Sequence, residues 1–301
     1  MNATTRAWIA AARPRTLPLA LSSIGLGAFL AAGAGQFRWE VLFFSALTTI
    51  FLQVLSNLAN DYGDSVHGAD SVNREGPNRA VQSGVIDASA MKTAVITFSL
   101  LSLFSGIGLL YAAFGGLSVT FWIFIGLGLL AIGAAITYTA GNKPYGYMGL
   151  GDLSVLLFFG LLGVGGSFYL HAGFIDASYL LPALTCGLFS VAVLNVNNIR
   201  DMKTDKEAGK ISIPVRLGRK RAVRYHWILL ATGLLASVLY VLLNYESAWQ
   251  WLFLVSVPLI FRNGKAVQVK TQAKELDPYL KQMALSTLVY VLTFGLGNLL
   301  G

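Results

Sequence analysis

The chain has 301 residues, of which 55% are hydrophobic and only 12% are charged, about half the charged share of an ordinary soluble domain. So few charges cannot cover a soluble surface, and the same composition excludes a disordered chain, a collagen, a coiled coil and a disulfide scaffold. The single cysteine, Cys186, lies in an apolar stretch and cannot form a disulfide within the chain. The composition therefore indicates a membrane protein.

The apolar segments predict an all-α, polytopic membrane protein with nine transmembrane helices. A helix that crosses the hydrocarbon core needs about 20 apolar residues. The segment 247–261 is shorter than this, and a tilted path would accommodate it. A short interfacial helix is also expected before the first span. The predicted spans are 16–37, 41–60, two within 93–142, 153–175, 177–199, 225–245, 247–261 and 282–301.

Lysine and arginine residues lie almost entirely on one side of these predicted helices. If the N-terminus is cytoplasmic, only Arg38 of the 22 basic residues falls in an outer segment. Because basic loops face the cytoplasm, we expect a multi-pass protein of the cell (inner or plasma) membrane, with its N-terminus cytoplasmic and its C-terminus outside. The net charge of +8 follows membrane sidedness and does not indicate nucleic-acid binding. The first apolar segment exceeds the core of a secretory signal, about 7–15 residues, so no cleaved leader is expected.

Acidic residues concentrate in two of the predicted cytoplasmic loops. Eight of the 14 fall in loops 61–92 and 200–224, which we expect to carry the active site of a single integral-membrane domain, 1–301. If the preceding helices continue into these loops, polar side chains recur at helical spacing and share one face. At the first loop these side chains are Asn57 of the preceding span, Asp61 and Asp64; at the second they are Asn197 of the preceding span, Asp201 and Asp205.

Two carboxylate clusters at the mouth of a helical bundle suit magnesium and diphosphate. Polar groups at this depth are costly unless they are paired or functional. Mg²⁺ prefers oxygen ligands and usually binds one or two carboxylates together with phosphate oxygens and water. It stabilises diphosphate as a leaving group, while nearby cations hold the remaining phosphate oxygens. The basic side chains placed for this task are Arg79, Arg200, Lys206 and Lys210.

A solvated helix end is the ordinary explanation for one aspartate pair near a membrane boundary. Here the pair occurs twice, each time preceded by asparagines and followed by glycine and basic residues. This repetition favours a functional site. Gly63 and Gly209, which lie beside the two pairs, are expected in tight turns.

Four stretches resemble the UbiA superfamily of intramembrane aromatic prenyltransferases. Ala80 stands where the family has a proline, and Gly68 stands where many relatives carry a third aspartate. The resembling stretches are NDYGD at 60–64, GPNRAVQSG at 76–84, DMKTD at 201–205 and KEAGKISIPVRLG at 206–218.

The resemblance implies a UbiA-type bundle with Mg²⁺ as cofactor, in contact with membrane lipid, a polyprenyl diphosphate and an aromatic acceptor. The implied metal ligands are Asp61, Asp64, Asp70, Asp201 and Asp205, of which Asp64, Asp201 and Asp205 are also implied in catalysis. The implied substrate-binding residues are Asn60, Arg79, Asn197, Asn198, Arg200, Lys206, Lys210, Lys143 and Tyr138.

Two of these substrate-binding residues have an alternative explanation. Lys143 either helps to hold diphosphate or is a cytoplasmic lysine beside an interfacial aromatic belt. The ring of Tyr138 either stabilises cationic character in the substrate or packs in the core.

Other stretches resemble the branch of the family that acts on 1,4-dihydroxy-2-naphthoate. The implied reaction is Mg²⁺-dependent transfer of a polyprenyl group to the naphthoate ring, with loss of its carboxylate as CO₂, to give demethylmenaquinone. The stretches are RPRTLP at 13–18, TYT at 137–139, GLGD at 149–152 and NNIRD at 197–201.

Two other functions stay open at this point. One is a UbiA-type enzyme that acts on another acceptor, such as 4-hydroxybenzoate or homogentisate. The other is a cation-coupled transporter, although transporters place their sites near the membrane midplane, whereas these aspartates lie at one edge.

A prenyl tail gains about 0.8 kcal/mol per CH₂ in lipid, so we expect small residues of the first and ninth helices to border a lateral opening. These residues are Gly25, Gly27, Ala28, Gly295 and Gly297.

Overall fold

A computed structural model describes residues 2–66 and 80–301, and all regular elements within them are helical. The predicted all-α class is therefore confirmed. Short 3₁₀ turns connect several of the α-helices. The α-helices are α1 (Ala3–Ala12), α2 (Leu17–Gly33), α3 (Trp39–Val66), α4 (Ala88–Phe114), α5 (Val119–Thr137), α6 (Gly151–Val155), α7 (Ser167–Ala172), α8 (Leu180–Arg200), α9 (Met202–Glu207), α10 (Ile213–Leu217), α11 (Arg219–Leu243), α12 (Val257–Val269) and α13 (Ala273–Leu299).

Nine helical segments in the described part of the chain are long and apolar enough to cross a membrane, as the sequence predicts. The fifth segment, Gly151–Ala172, is a composite in which a π-helix, Leu156–Gly166, joins α6 to α7. The eighth, Ala248–Val269, begins as a 3₁₀-helix, Ala248–Ser256, and continues as α12. The predicted span 247–261 is thus too short, because the helix runs on through two basic residues at its end.

Helices extend into both loops that carry the aspartates. Helix α3 continues to Val66, so Asp61 and Asp64 lie on its last turns, and α4 begins only at Ala88. In the second loop, α9 and α10 precede the start of α11 at Arg219. Asp61, Asp64 and Asp205 therefore have helical backbones, whereas Asp201 lies in the turn between α8 and α9.

A hinge, residues 13–16, joins the short helix α1, which the sequence predicts, to α2. Arg13 adopts a left-handed backbone conformation with φ 48° and ends α1. The side-chain amide of Asn57 donates hydrogen bonds to the carbonyl of Ala12 at 2.9 Å and to the hydroxyl of Thr16 at 3.1 Å. Asn57 of α3 thus fastens the hinge beside the first aspartate motif.

The bundle consists of two groups of helices. The larger group packs around buried aromatic rings and consists of α2, α8, α11, α13 and the fifth and eighth segments. These include Phe189, Phe253, Tyr290 and Phe294, each less than 1% exposed. In the smaller group, α3 and α4 pack closely, with α1 and α5 against them. In the described residues the buried hydrophobic side chains form four separate clusters, and a cavity lies between the two groups.

Three of the small residues expected to border an opening, Gly27, Gly295 and Gly297, lie at close helix contacts, which corrects the expectation for them. A Cβ on Gly27 would lie 2.6 Å from the carbonyl oxygen of Val164, and a Cβ on Gly295 would overlap the ring of Phe29. A Cβ on Gly297 would overlap the carbonyl oxygen of Trp249. These glycines permit close helix packing, because a larger side chain has no room at the contacts.

Candidate active site

A cavity of about 1030 Å³ lies between the two helix groups and brings both aspartate motifs together. We call the end of the cavity that carries the motifs its motif end. The polar residues at this end come from α3, α8 and the segment that follows α8. They are Asn57, Asn60, Asp61, Asp64, Asn197, Asn198, Arg200, Asp201, Asp205 and Lys210.

The first motif is held by backbone and side-chain donors. The carboxylate of Asp61, which is 2% exposed, accepts hydrogen bonds from the backbone N–H groups of Ala80 at 3.2 Å and Val81 at 3.4 Å. Asp64 accepts one from the hydroxyl of Tyr147 at 2.9 Å. The side-chain oxygen of Asn60 accepts one from the hydroxyl of Thr139 at 3.1 Å. The segment after α5 therefore supports the motif directly.

In the second motif, Arg200 and Asp201 form a bidentate ion pair. Nε and one Nη of Arg200 donate to the two oxygens of Asp201, both at 2.7 Å. The same guanidinium donates to Asn197 at 2.9 Å and to Asp277 of α13 at 2.6 Å. Its side chain is only 3% exposed. Arg200 thus lines the cavity with most of its donors engaged by the protein.

Asp205 and Lys210 form the second charged pair of this motif. Lys210 Nζ lies 3.3 Å from Asp205 Oδ1, and both side chains are largely buried. Burial raises the pKa of Asp205 to about 6, although Lys210 opposes the shift. Burial alone would lower the pKa of Lys210, but the carboxylate of Asp205 outweighs it and raises that pKa. Lys210 is therefore charged at neutral pH, whereas Asp205 is close to its titration range.

Tyr138 lies at the wall of the cavity, just after α5. Its ring packs edge-on against Tyr145, with the ring centroids 5.3 Å apart. Burial raises the pKa of its hydroxyl to about 12, so the phenol is neutral at neutral pH. Both predicted roles for this ring are compatible with its position, since it packs against a neighbour and lines the cavity.

Residues 20–288 match the sequence model of the UbiA prenyltransferase family. The chain belongs to this family. It is 46% identical to 1,4-dihydroxy-2-naphthoate octaprenyltransferase of Haemophilus influenzae, with 100% of this chain and 98% of the relative covered. It is 45% identical to the Escherichia coli K12 protein of the same name, with 97% and 95% covered.

Solved structures of UbiA homologues have the same fold. A homologue from Aeropyrum pernix K1 has a TM-score of 0.66 at 16% identity, with 94% of this chain and 96% of the homologue covered. A homologue from Archaeoglobus fulgidus bound to GPP and Mg²⁺ has a TM-score of 0.63 at 18% identity, with 95% and 99% covered. The UbiA-type helical bundle expected from the resemblance is thereby confirmed, with nine candidate membrane helices in residues 2–66 and 80–301.

The carboxylates at the motif end fit Mg²⁺ shared with a diphosphate better than an ion enclosed by protein alone. Within residues 2–66 and 80–301, no three His, Cys, Asp or Glu side chains are placed to hold one ion. Asp205 Oδ2 and Asn198 Oδ1 are buried without a hydrogen-bond partner in the described part of the chain. Because buried polar atoms are nearly always paired, these oxygens are candidate ligands. Phosphate and water oxygens would complete the octahedral coordination that Mg²⁺ requires.

Two predicted site residues do not line the cavity, and two others lie outside the described residues. Lys143 and Lys206 are exposed and do not line the cavity. Asp70 and Arg79 lie outside the described residues. The roles implied for these four residues remain predictions.

Three residues near the motif end have site contacts that the sequence analysis does not anticipate. Tyr147 and Thr139 bind the first motif, and Asp277 binds Arg200 of the second. Thr139 and Tyr147 lie in stretches already noted for their resemblance or aromatic content, whereas Asp277 has no motif around it. Only contacts between distant parts of the chain identify its position.

The rest of the cavity is lined mainly by apolar side chains and reaches the opposite end of the bundle. Gly128 and Ala131 of α5 line it together with Phe158 and Leu162 of the π-helix. Since Asp61 and Asp64 lie near the end of α3, residues near the start of that helix mark the far side. Residues at or near this far side include Ser45, Leu110, Phe124 and Leu170.

Proposed function

We propose that the protein transfers a polyprenyl group from a polyprenyl diphosphate to 1,4-dihydroxy-2-naphthoate, with release of CO₂ and diphosphate, to give demethylmenaquinol, the reduced form of demethylmenaquinone. The observation that carries the proposal is the convergence of both aspartate motifs at one end of a largely apolar cavity. The names of the two bacterial relatives above support the choice of acceptor. The following paragraphs derive how the residues present would perform this reaction.

The four aspartates would hold Mg²⁺ together with the diphosphate of the donor. Asp61 and Asp64 approach from α3, while Asp201 and Asp205 approach from the segment after α8. When bound, Mg²⁺ supplies Lewis-acid stabilisation of the diphosphate leaving group. Asp70 is a further ligand in this proposal, on the strength of the sequence resemblance alone.

Basic and amide side chains would orient the diphosphate. Lys210 carries its charge at the cavity wall and can bind phosphate oxygens as a point charge. Asn197 and Asn198 present side-chain amides to the same end of the cavity. Held in this way, the allylic C–O bond points towards the apolar part of the cavity, where the acceptor ring can approach.

Tyr138 would stabilise the cationic character that develops on the allylic carbon. The face of an aromatic ring attracts a cation within about 6 Å, and the neutral phenol cannot trap the cation as a phenolate would. The C–O bond to diphosphate breaks, a C–C bond to the naphthoate ring forms, and the carboxylate leaves as CO₂. Water must be excluded meanwhile, and the apolar walls provide this.

The prenyl tail would occupy the apolar part of the cavity and the adjoining lipid. Transfer of each CH₂ from water to an apolar surrounding is favourable by about 0.8 kcal/mol, so a long tail strongly favours this location. The protein is an integral, multi-pass membrane protein. On the sidedness of its lysines and arginines we place it in the cell membrane with the motif end facing the cytoplasm.

Incubation of the purified protein in lipid nanodiscs with 1,4-dihydroxy-2-naphthoate and an octaprenyl diphosphate tests this proposal. We expect a prenylated, decarboxylated product by mass spectrometry when Mg²⁺ is present and none after its chelation. Parallel reactions with 4-hydroxybenzoate and homogentisate test the acceptor. A product with either of these and none with the naphthoate would overturn the proposed acceptor, and movement of substrate without any prenylated product would indicate a transporter.

A further inference from the structure

Asp277 connects the last helix to the second aspartate motif. It lies near the start of α13, and its Oδ1 accepts a hydrogen bond from an Nη of Arg200 at 2.6 Å. Its Oδ2 lies 3.4 Å from an Nη of Arg15, in the hinge before α2. Leu280, one turn further along α13, lines the cavity. Asp277 thus faces the motif end from a helix that carries neither motif.

Asp277 is the partner from another helix for the buried guanidinium of Arg200, which donates hydrogen bonds to several acceptors at once. The contacts of Arg200 with Asp201 and Asn197 both lie on its own helix or directly after it. A guanidinium bound only by these neighbours can still rotate with the end of α8. The bond to Asp277 adds a third direction from another helix, which fixes the plane of the guanidinium. The bidentate geometry then fixes the plane of the Asp201 carboxylate.

We propose that Asp277 is a positioning residue that holds Arg200, and through it Asp201, in the orientation that binds the metal–diphosphate group. This inference rests on the proposed function, since it assigns Asp277 a part in binding the same donor. Partner groups that orient metal-binding side chains affect metal affinity or activity by about 10–100-fold when they are changed.

A purely structural role is the competing explanation, because Asp277 also joins α13 to the hinge through Arg15. Removal of that link would weaken the fold independently of Arg200. Glu275 provides a matched control on the same helix. It pairs with Lys270 at 2.9 Å, on an exposed part of the surface away from the cavity.

The experiment measures binding of geranyl S-thiolodiphosphate, an unreactive donor analogue, by calorimetry in nanodiscs with Mg²⁺. We expect Asp277→Asn to weaken binding about tenfold, as the loss of one charge-assisted hydrogen bond implies. Glu275→Gln should bind like the unaltered protein, and Asp277→Glu should recover most of the affinity. Thermal unfolding of each variant without ligand reports its stability separately.

A double-mutant cycle with Arg200→Gln distinguishes positioning from general stability, because glutamine has no charge with which to pair with Asp277. If Asp277 acts through Arg200, Asp277→Asn should change binding by less than about twofold in that background. Arg200→Met replaces Arg200→Gln if the latter does not fold. Equal weakening in both backgrounds, unchanged binding by Asp277→Asn, or no recovery with Asp277→Glu would overturn the proposal.

The donor analogue also separates this inference from the proposed acceptor. Binding is measured without any aromatic acceptor, so use of another acceptor leaves the expected affinities unchanged. If the unaltered protein does not bind the analogue with Mg²⁺, the proposed function itself is wrong, and the inference fails with it.

Discussion

Asp205 differs from the other aspartates of the site in having one carboxylate oxygen paired and the other buried without a partner in the described residues. Lys210 lies 3.3 Å from Oδ1, while Oδ2 has no hydrogen bond. Burial accounts for its raised pKa. A buried carboxyl group with one unpaired oxygen is suited to bind a cation, because a bound cation favours the charged form of the group that burial disfavours.

The raised pKa of Asp205 predicts a pH dependence of Mg²⁺ use. As the pH falls through about 6, the Asp205 carboxylate takes up a proton. The neutral carboxyl group binds Mg²⁺ poorly, so the Mg²⁺ concentration for half-maximal activity should rise. Titrations with Mg²⁺ between pH 5 and 8 in steps of about half a unit measure this shift. In Asp205→Asn the step near pH 6 should disappear, and an unchanged step in this variant would contradict the assignment.

The hydrogen bond from Tyr147 to Asp64 gives a second prediction, which concerns catalytic activity. Tyr147→Phe removes the hydroxyl that Asp64 accepts at 2.9 Å, and we expect a loss of about tenfold or more in kcat/KM. Tyr225→Phe is the matched control, since its hydroxyl binds Asp152 at 2.8 Å and neither residue lines the cavity. Equal losses in the two variants would show that the effect does not arise at Asp64.

At the scale of elements, the end of α3 meets the segment after α5 at a glycine. Gly63 lies within the helix and not in the tight turn that the sequence analysis expects. A Cβ at this position would lie 2.6 Å from the backbone carbonyl of Thr139. Gly209, by contrast, has φ 74° and does occupy a turn. The motif glycine is therefore needed for close approach between two segments.

This contact predicts that Gly63→Ala is destabilising although the residue is helical. Overpacking at a close contact costs about 1–3 kcal/mol, and displacement of Thr139 should also disturb Asn60 and lower activity. Gly126→Ala of α5 is the control, because no atom lies within 4 Å of a Cβ there. Thermal unfolding and activity measure both effects. A Gly63→Ala protein as stable and active as the control would contradict the contact.

The sequence predicts helices and their polar faces well, but it does not predict which segments meet. The spacing of Asp61 and Asp64 indicates one face of a helix, and the structure extends α3 through both. Nothing local to Asp277 or Tyr147 indicates their partners, because those contacts join residues 77 and 83 positions apart. The π-helix Leu156–Gly166 is likewise absent from the prediction, since its apolar residues fit an ordinary membrane helix equally well.

At the scale of the whole molecule, the cavity joins a charged end to an apolar path between two helix groups. The larger group is closely packed, as Gly295 against Phe29 illustrates. In the smaller group, α5 packs against α3 and α4 and presents Gly128 to the cavity. In the proposed function, this division would let one bundle hold a diphosphate at one end and a long hydrocarbon chain along its length.

The apolar path predicts that a larger side chain within it shortens the preferred prenyl tail. Gly128→Leu should exclude part of the chain and lower the use of octaprenyl relative to geranyl diphosphate by about tenfold, as the loss of one or two buried CH₂ groups implies. Gly126→Leu is the control on the same helix, since it does not line the cavity. Competition between the two donors, with products separated by mass, gives the ratio. An equal ratio in both variants would place the tail elsewhere.

Binding of one donor by both motifs is the claim on which the account depends most. Calorimetric titration of geranyl S-thiolodiphosphate with Mg²⁺ tests it in the unaltered protein, in Asp64→Asn and in Asp201→Asn. The account predicts one donor analogue per chain and a loss of about tenfold or more in affinity for each variant. Unaltered affinity after substitution in either motif would contradict a shared site.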